Sequence, residues 1–352
     1  IDRRSFSSDR EVVALNGIKY MLGLQDNRVL ACAKHFPGHG DTDIDSHKSL
    51  PVLYHNRNRL DSIELFPFTE LINNGLGSVM IAHINLPLID TLDVPSSFSK
   101  NIINNILKDD LNFQGLVISD ALNMNALSNY SSFGERELHA FLAGNDILLC
   151  PDNILEAINL IRHAIQNNPG LMTQLNESCR KILMLKKWAG AFDAHNVSSL
   201  NLTNKKSILL HRNLSKNAIT VLKNKKNIIP LTGLESLQIA YLSMGNDSGD
   251  IFYNRLNNYM PIEKYTYSLE SGKQDGLLKQ LELYDIVLVG LHYSNKNFWE
   301  THKISKKDSI FLSKLSNQNK TIINLFCHPR IMNKLDLNDV EGVVLSYQNS
   351  IV

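Results

Sequence analysis

The 352-residue chain lacks the features that mark several classes of protein. Its 36 basic and 35 acidic side chains nearly cancel, so no charge excess indicates a nucleic-acid or membrane-surface partner. No apolar run approaches the roughly 20 residues that a membrane-spanning helix requires. The four cysteines lie far apart, with neither C-x-x-C spacing nor a compact disulfide framework, and we interpret them as buried thiols. What remains is the composition of an ordinary globular protein.

The first half of the chain alternates short apolar runs with amphipathic stretches, a pattern typical of βα units and a parallel sheet. It predicts strands at 29–33, 78–82, 115–119 and 146–150, and helices near 61–74, 99–110, 134–143 and 153–166. Polar residues follow each strand directly, and in a (β/α) barrel such positions form the mouth where chemistry takes place. Four units are half of the eight that close a barrel, so we expect the natural protein to be longer at its N-terminus.

The periodicity lapses at residues 190–205, which we predict to be a linker. A second alternation follows, with a helix near 206–222 and strands at 237–242, 285–291, 321–326 and 342–346. The predicted fold class is therefore α/β. Residues 1–189 are expected to form the C-terminal half of a TIM-like (β/α) barrel, and residues 206–352 an open α/β sandwich domain that is truncated at its end. The compartment, cytoplasmic or exported, stays open.

The densest group of functional side chains follows the first predicted strand, in the segment K-H-F-P-G-H-G-D-T-D-I-D-S-H at 34–47. Its glycines and proline favour an open, sharply turning loop. Asp45 and His47 stand two residues apart in a stretch expected to be extended, so the two side chains can point the same way and hydrogen-bond. A carboxylate on one imidazole nitrogen favours the protonated ring. The pair therefore predicts a general acid that becomes a general base once its proton is released.

A second functional element is the segment G-L-V-I-S-D-A-L-N-M at 115–124, where an apolar strand delivers Asp120 to the same barrel mouth. Cleavage of a glycosidic bond with retention needs one group that attacks the anomeric carbon and another that protonates the departing oxygen. Asp120 is placed as the attacking group, with a histidine in place of the usual second carboxylate. His83 and Asn85, after another strand, are expected to line the pocket, although a structural role for His83 is an equal alternative.

These segments resemble the bacterial β-N-acetylglucosaminidases of glycoside hydrolase family 3. The resemblance is strongest at 34–47 and 118–124, and R-S-F at 4–6, I-A-H at 81–83 and A-G-N-D-I-L-L at 143–149 support it. It implies that Asp120 is the nucleophile, that His47 is the acid/base and that Asp45 is the dyad partner of His47. The family also has an earlier strand end of D-Q-E-G-G type, whose aspartate grips the sugar and which this sequence does not contain.

The same resemblance implies that Arg4, Lys34 and His35 bind sugar hydroxyls, and it calls for no metal or cofactor. The implied partner is a carbohydrate that contains N-acetylglucosamine, and neither a nucleic acid nor a membrane segment is expected. The implied activity is removal of terminal β-linked N-acetylglucosamine, with cell-wall fragments from peptidoglycan turnover as the source.

Three other functions compete with this interpretation. A metal-dependent hydrolase is the first, because one loop holds many possible ligands: His35, His39, Asp41, Asp43, Asp45 and His47. Their crowding into a single loop argues against it, since such ligands normally converge from several strands. A β-glucosidase of the same broad family is the second, and a barrel that only binds sugar is the third. Phosphate in place of water could also resolve the glycosyl intermediate, because an uncharged base repels phosphate less than a carboxylate does.

Overall fold

The computed structural model describes residues 5–42, 49–128, 130, 132, 134–193, 204–268, 273–293 and 304–347. The chain divides into two compact units, Ile1–Asn196 and Val197–Val352. Most of the predicted linker lies outside the described residues, so the assignment of 1–189, 190–205 and 206–352 to barrel, linker and second domain stays a prediction. In the described part of the chain, no helix is both long and apolar enough to cross a membrane.

The first unit is built on three parallel strands that lie side by side in chain order. They are β1 (Cys32–Phe36), β2 (Ser78–Ile81) and β3 (Leu116–Ser119). The helices are α1 (Arg10–Gln25), α2 (Arg57–Arg59), α3 (Phe66–Asn73), α4 (Glu135–Ala143), α5 (Ile154–Asn167) and α6 (Gly170–Trp188), with π-helical segments at Leu60–Glu64 and Asn101–Asp110 and 3-10 turns at Ser96–Phe98 and Asn125–Leu127. The predicted alternation of strands and helices is confirmed.

The first strand begins three residues later than the sequence predicts. Val29 is exposed and its N–H closes the turn after α1 by donating to the Leu24 carbonyl, whereas Phe36 is fully buried and anchors β1 in the core. Lys34 and His35 therefore lie within the strand and not after it. The pairing of β1 with β2 shifts register between Lys34 and Phe36. Such a bulge re-aims the side chain at the irregular position, which here is His35.

The predicted strand at 146–150 is reduced to a single parallel bridge between Ile118 and Ile147. The physical reason is the Asp146 carboxylate, which accepts a hydrogen bond from the Val117 N–H at 2.9 Å and so occupies part of the β3 ladder. The same carboxylate accepts from the Ser178 hydroxyl at 2.6 Å and lies 3.4 Å from Lys181 Nζ on α6. A buried side chain thus attaches this segment and α6 to the sheet.

The core of the first unit packs against the face of β2 that carries Val79 and Ile81. Both side chains are fully buried, and the rings of Phe36 and Phe68 meet edge to face at 5.2 Å. The interpretation of all four cysteines as buried is wrong. Cys327 is buried, but three others are exposed because they lie on an outer strand face, in a loop and on the surface of α6: Cys32, Cys150 and Cys179.

The second unit is a six-stranded sheet with the order β4-β9-β8-β7-β5-β6, in which the β4–β9 pair is antiparallel and the others are parallel. Its strands are β4 (Thr220–Asn224), β5 (Ile239–Gly245), β6 (Glu263–Thr266), β7 (Ile286–His292), β8 (Lys320–Phe326) and β9 (Gly342–Leu345). Its helices are α7 (Lys205–Ala218), α8 (Asp250–Leu256), α9 (Lys273–Leu281) and α10 (Lys306–Gln318). This is the open α/β layer that the sequence predicts.

The helix predicted at 206–222 ends at Ala218. The next residues are Ile219, Thr220 and Val221, whose β-branched side chains favour a strand. Thr220 and Val221 pair with β9, so tertiary pairing ends the helix early.

We predict that Asp146→Ala lowers the free energy of unfolding by about 2–4 kcal/mol, because it leaves the Val117 N–H and the Ser178 hydroxyl without their acceptor and removes the charge that pairs with Lys181. Urea-induced unfolding measures this. Glu177→Ala is the control on α6, the helix that Asp146 attaches to the sheet, because Glu177 makes an exposed pair with Arg180 and its loss should lower the free energy of unfolding by less than about 0.5 kcal/mol. Similar losses in both variants would contradict the role given to Asp146.

Candidate active site

Asp120 follows β3 directly and is fixed by its own backbone. Its N–H donates to the Ile81 carbonyl at 2.9 Å, which extends the β2–β3 pairing by one residue. One carboxylate oxygen, Oδ1, accepts a hydrogen bond from the Ala121 N–H at 2.9 Å. The side chain is 15% exposed, so the carboxylate is held at the carboxyl end of the sheet and still reaches solvent.

His35 meets Asp120 across the end of β2. Its Nε2 lies 3.8 Å from Asp120 Oδ2, and the imidazole is 11% exposed. This distance exceeds a hydrogen bond, but it allows attraction when the ring is protonated. The His35 ring also contacts the His39 ring edge to face at 5.7 Å. Lys34 lies beside His35 in β1, opposite Met80 of β2. The structure thus gathers these three predicted residues at one end of the sheet, and their roles stay predictions.

His83 is fully buried behind Asp120. Its Nε2 lies 3.0 Å from the Ala121 carbonyl oxygen, which can only accept, so Nε2 carries a proton and donates. Its Nδ1 lies 2.8 Å from Ser97 Oγ and accepts from that hydroxyl. Burial lowers the pKa of His83 below its usual 6.5, although the Ala121 hydrogen bond and the Asp120 charge oppose this. Of the two roles left open by the sequence, the structural one fits: a neutral imidazole fixes the carbonyl of Ala121, the residue that follows Asp120.

The loop after β1 is described as far as Thr42. His39 Nδ1 lies 2.6 Å from Thr42 Oγ1, which braces the turn internally. The predicted dyad residues Asp45 and His47 lie outside the described residues, as does Arg4. Their assignment as acid/base, partner and sugar contact therefore rests on the sequence.

Among the described residues, one group of three side chains has the spacing of metal ligands. The group is Asp41, His55 and Glu64, whose ligand atoms all lie within 4.8 Å of one another. Arg59 already supplies a positive charge there, with Nη2 2.9 Å from Glu64 Oε1 and 3.4 Å from Asp41 Oδ2. Of the ligands proposed for a metal-dependent hydrolase, Asp41 belongs to this group and His35 and His39 do not. The sequence analysis missed His55, Arg59 and Glu64 entirely.

Asn85 lines a cavity of about 610 Å³ formed by loops that follow the three strands, together with Asp93, Asn125 and Tyr130. Its amide nitrogen donates to Asp93 Oδ1, while its buried Oδ1 has no hydrogen-bond partner among the described residues. Asn85 therefore lines a pocket, as the sequence predicts, whereas the cavity lining does not include the buried His83.

Comparison with known proteins identifies the family to which this parallel sheet with its strand-end carboxylate belongs. Residues 1–185 match the glycosyl hydrolase family 3 N-terminal domain, so the chain belongs to this family. A β-hexosaminidase A of Pseudoalteromonas piscicida is 31% identical over 265 residues, which are 69% of this chain and 44% of that protein. A β-hexosaminidase of Nitrosomonas eutropha is 37% identical over 153 residues, 43% of each chain. The chain thus spans less than half the length of either relative.

Solved structures show the same fold. A glycoside hydrolase family 3 β-N-acetylglucosaminidase from Paenibacillus sp. strain FPU-7 superposes with a TM-score of 0.77 and 24% identity, over 97% of this chain and 66% of that one. A β-glucoside phosphorylase superposes with a TM-score of 0.80 and 19% identity, over 99% of this chain and 67% of that one. The predicted fold class, part of a TIM-like barrel followed by an open α/β domain, is confirmed.

We predict that His83 makes the free energy of unfolding fall as the pH drops below about 6.5. In the unfolded chain the imidazole takes up a proton that the buried ring resists, so acid favours the unfolded state by up to about 1.4 kcal/mol per pH unit. His83→Gln keeps a donor and an acceptor without this titration, and urea unfolding at pH 7.5, 6.5 and 5.5 should show a shallower fall. His163→Gln, on the exposed side of α5, should keep the wild-type profile. Parallel curves for the wild type and His83→Gln would refute the prediction.

Proposed function

We propose that the protein carrying this chain is a retaining glycosidase that removes terminal β-linked N-acetylglucosamine. The observation that carries the proposal is the Asp120 carboxylate, anchored at the end of β3 and 3.8 Å from His35 of β1. Support comes from the two relatives named β-hexosaminidase, at 31% and 37% identity. The chain matches less than half of either, so the activity of the whole protein is inferred from the site and the family together.

In the proposed first step, Asp120 Oδ2 forms a bond to the anomeric carbon as the bond from that carbon to the leaving oxygen breaks. His47 gives its proton to the leaving oxygen, so the aglycone departs as a neutral alcohol. In the second step a water attacks the anomeric carbon, its proton returns to His47 and the Asp120 carboxylate is released. Two displacements restore the original β configuration. The Ala121 N–H on Oδ1 orients the carboxylate for both steps.

The proposed roles of His35 and Lys34 follow from their positions, and those of Arg4 and Asp45 follow from the family resemblance. His35 and Asp120 are spaced so that both side chains can reach the same pyranose ring, and Lys34 is next to His35 in β1. We assign hydroxyl recognition to Lys34, His35 and Arg4, and we assign to Asp45 the orientation of His47. Peptidoglycan fragments are the proposed source of the sugar, on the strength of the family resemblance alone.

We predict that Asp120→Ala reduces the hydrolysis of 4-nitrophenyl N-acetyl-β-glucosaminide by at least about 1,000-fold, because no other described carboxylate takes part in the proposed attack. Asp109→Asn, at an exposed position on the helix before β3, should retain wild-type turnover. Added azide should restore turnover in Asp120→Ala and yield the α-glycosyl azide, the product of a single displacement. The nucleophile assignment fails if the alanine variant stays active, or if rescue gives the β-azide. Preference of the wild type for 4-nitrophenyl β-glucoside would instead favour the β-glucosidase alternative.

We predict that His47→Ala affects substrates according to their leaving group. N,N′-diacetylchitobiose has a poor leaving group and needs a proton donor, so its kcat/KM should fall by about 100-fold or more. The 2,4-dinitrophenyl glycoside has a leaving group that departs as an anion, so its glycosylation step should fall by less than about tenfold. Equal losses on both substrates would argue against a proton-transfer role for His47. If the reaction in phosphate buffer releases N-acetylglucosamine and not its 1-phosphate, water is the acceptor of the glycosyl group.

A further inference from the structure

Four charged or titratable side chains connect the loop after β1 to residues 55–64, which include α2 and the π-helical segment that follows it. Asp41, in the loop, lies 3.1 Å from His55 Nε2 and 3.4 Å from Arg59 Nη2, both measured at Oδ2. Glu64, at the base of the cluster, lies 2.9 Å from Arg59 Nη2 and 3.8 Å from His55 Nε2. Arg59 thus donates hydrogen bonds to both acids, whereas His55 Nε2 lies close to both and makes no hydrogen bond to a described residue.

The local helix geometry explains why Arg59 and Glu64 meet. The Leu65 N–H donates to the Leu60 carbonyl at 2.8 Å, an i→i+5 bond that widens the helix to the π form. Residues five apart then come to the same side, whereas in an α-helix they would diverge. Arg59 Nε and Nη2 both donate to Glu64 Oε1, and this bonding raises the pKa of Arg59. Glu64 is 6% exposed, so it is the buried end of the cluster.

The loop backbone rests on the same glutamate. Gly38 has φ +139, and a Cβ built there would lie 2.6 Å from Glu64 Cβ, so a side chain at position 38 would displace the loop. The loop therefore touches this cluster at two positions three residues apart, by packing at Gly38 and by charge at Asp41. Two contacts fix both the place and the direction of a short segment.

We propose that His55 and Arg59 are positioning residues for proton donation: Arg59 donates a hydrogen bond to Asp41, His55 contacts it, and together they anchor the part of the loop that precedes the acid/base His47 in the chain. The inference rests on the proposed function. His47 follows Asp41 by six residues, and a general acid must come within about 2.6–3.2 Å of the oxygen that it protonates. A misplacement of about 1 Å can cost 100-fold in rate, so small shifts at Asp41 matter.

The Arg59–Asp41 pair contributes little to global stability. Arg59 is 43% exposed and Asp41 57%, and exposed pairs are screened by water. Asp41→Asn should therefore change proton donation without unfolding the protein, whereas Arg59→Met also leaves the 6% exposed Glu64 carboxylate without its partner. A general structural defect would instead reduce the rate on every substrate.

The test compares Arg59→Met with Arg57→Met in the full-length protein. Arg57 is the matched control, because it is 42% exposed, is two residues away and pairs with Asp61 and Asp110, away from the loop. In Arg59→Met, kcat/KM for N,N′-diacetylchitobiose should fall at least about tenfold more than kcat/KM for the 2,4-dinitrophenyl glycoside. In Arg57→Met the ratio of the two kcat/KM values should change by less than about twofold. The unfolding temperature of Arg57→Met should stay within about 3 °C of the wild type, whereas that of Arg59→Met should fall further because the buried Glu64 loses its partner.

Two further variants test the mechanism of positioning. Asp41→Asn should reproduce the selective loss, because it removes the charge that pairs with Arg59. Arg59→Lys keeps the positive charge and should bring the ratio of the two kcat/KM values part of the way back to that of the wild type. His55→Gln should shift the ratio in the same direction as Arg59→Met.

The inference is overturned if Arg59→Met lowers kcat/KM equally for both substrates, so that the ratio of the two values stays at that of the wild type. It is also overturned if EDTA dialysis of the wild type changes the ratio by itself, because a bound cation would then hold Asp41 in place of Arg59. The proposed function fails separately, and this inference with it, if the wild type cleaves neither substrate or if Asp120→Ala leaves both activities intact.

Discussion

The structure depends on the parallel pairing of β2 with β3, because this pairing decides where Asp120 emerges. Four residue pairs, from Ser78–Leu116 to Ile81–Ser119, align the two strands. The ladder continues into the Asp120 N–H, which bonds to the Ile81 carbonyl at 2.9 Å. Since Val79 and Ile81 lie on one face of β2 and belong to the apolar core, a one-residue shift of register would turn them away from it, so the register is strongly determined. The core of the domain thereby positions the candidate nucleophile.

Buried polar groups extend this rigidity to the surroundings of Asp120. His83 donates to the Ala121 carbonyl while the Ala121 N–H donates to one oxygen of the carboxylate, so both backbone polar groups of the residue after Asp120 are fixed. On the β1 side, a bulge in the strand brings His35 toward the same point. The loop after β1 is attached in another way, because surface charges and a glycine contact hold it against Glu64. Asp120 is thus held by backbone hydrogen bonds, whereas the loop after β1 is held, as far as Thr42, by partly exposed contacts.

The sequence predicts the strands that are continuous apolar runs, such as β2, β3 and β7, because burial on both faces dictates such runs. It misses β6, whose sequence E-K-Y-T is polar and half exposed, and β4, whose pairing with β9 overrides a helical pattern. In the site, the strand-end position identifies Asp120, and the structure brings His35 beside it. The Arg59–Glu64 contact escapes prediction because it depends on a π-helical turn, and residues five apart carry no signal in an α-helical pattern.

The most direct test of the account is to trap the covalent intermediate. A 5-fluoro-N-acetyl-β-glucosaminyl fluoride forms the glycosyl-enzyme quickly and releases it slowly, because the fluorine destabilises the positive charge of both transition states and the fluoride leaves readily. Proteolysis and mass spectrometry should then find one sugar on the peptide that contains Asp120. An adduct on another residue, or no adduct on an enzyme that turns over the natural glycoside, would contradict the account.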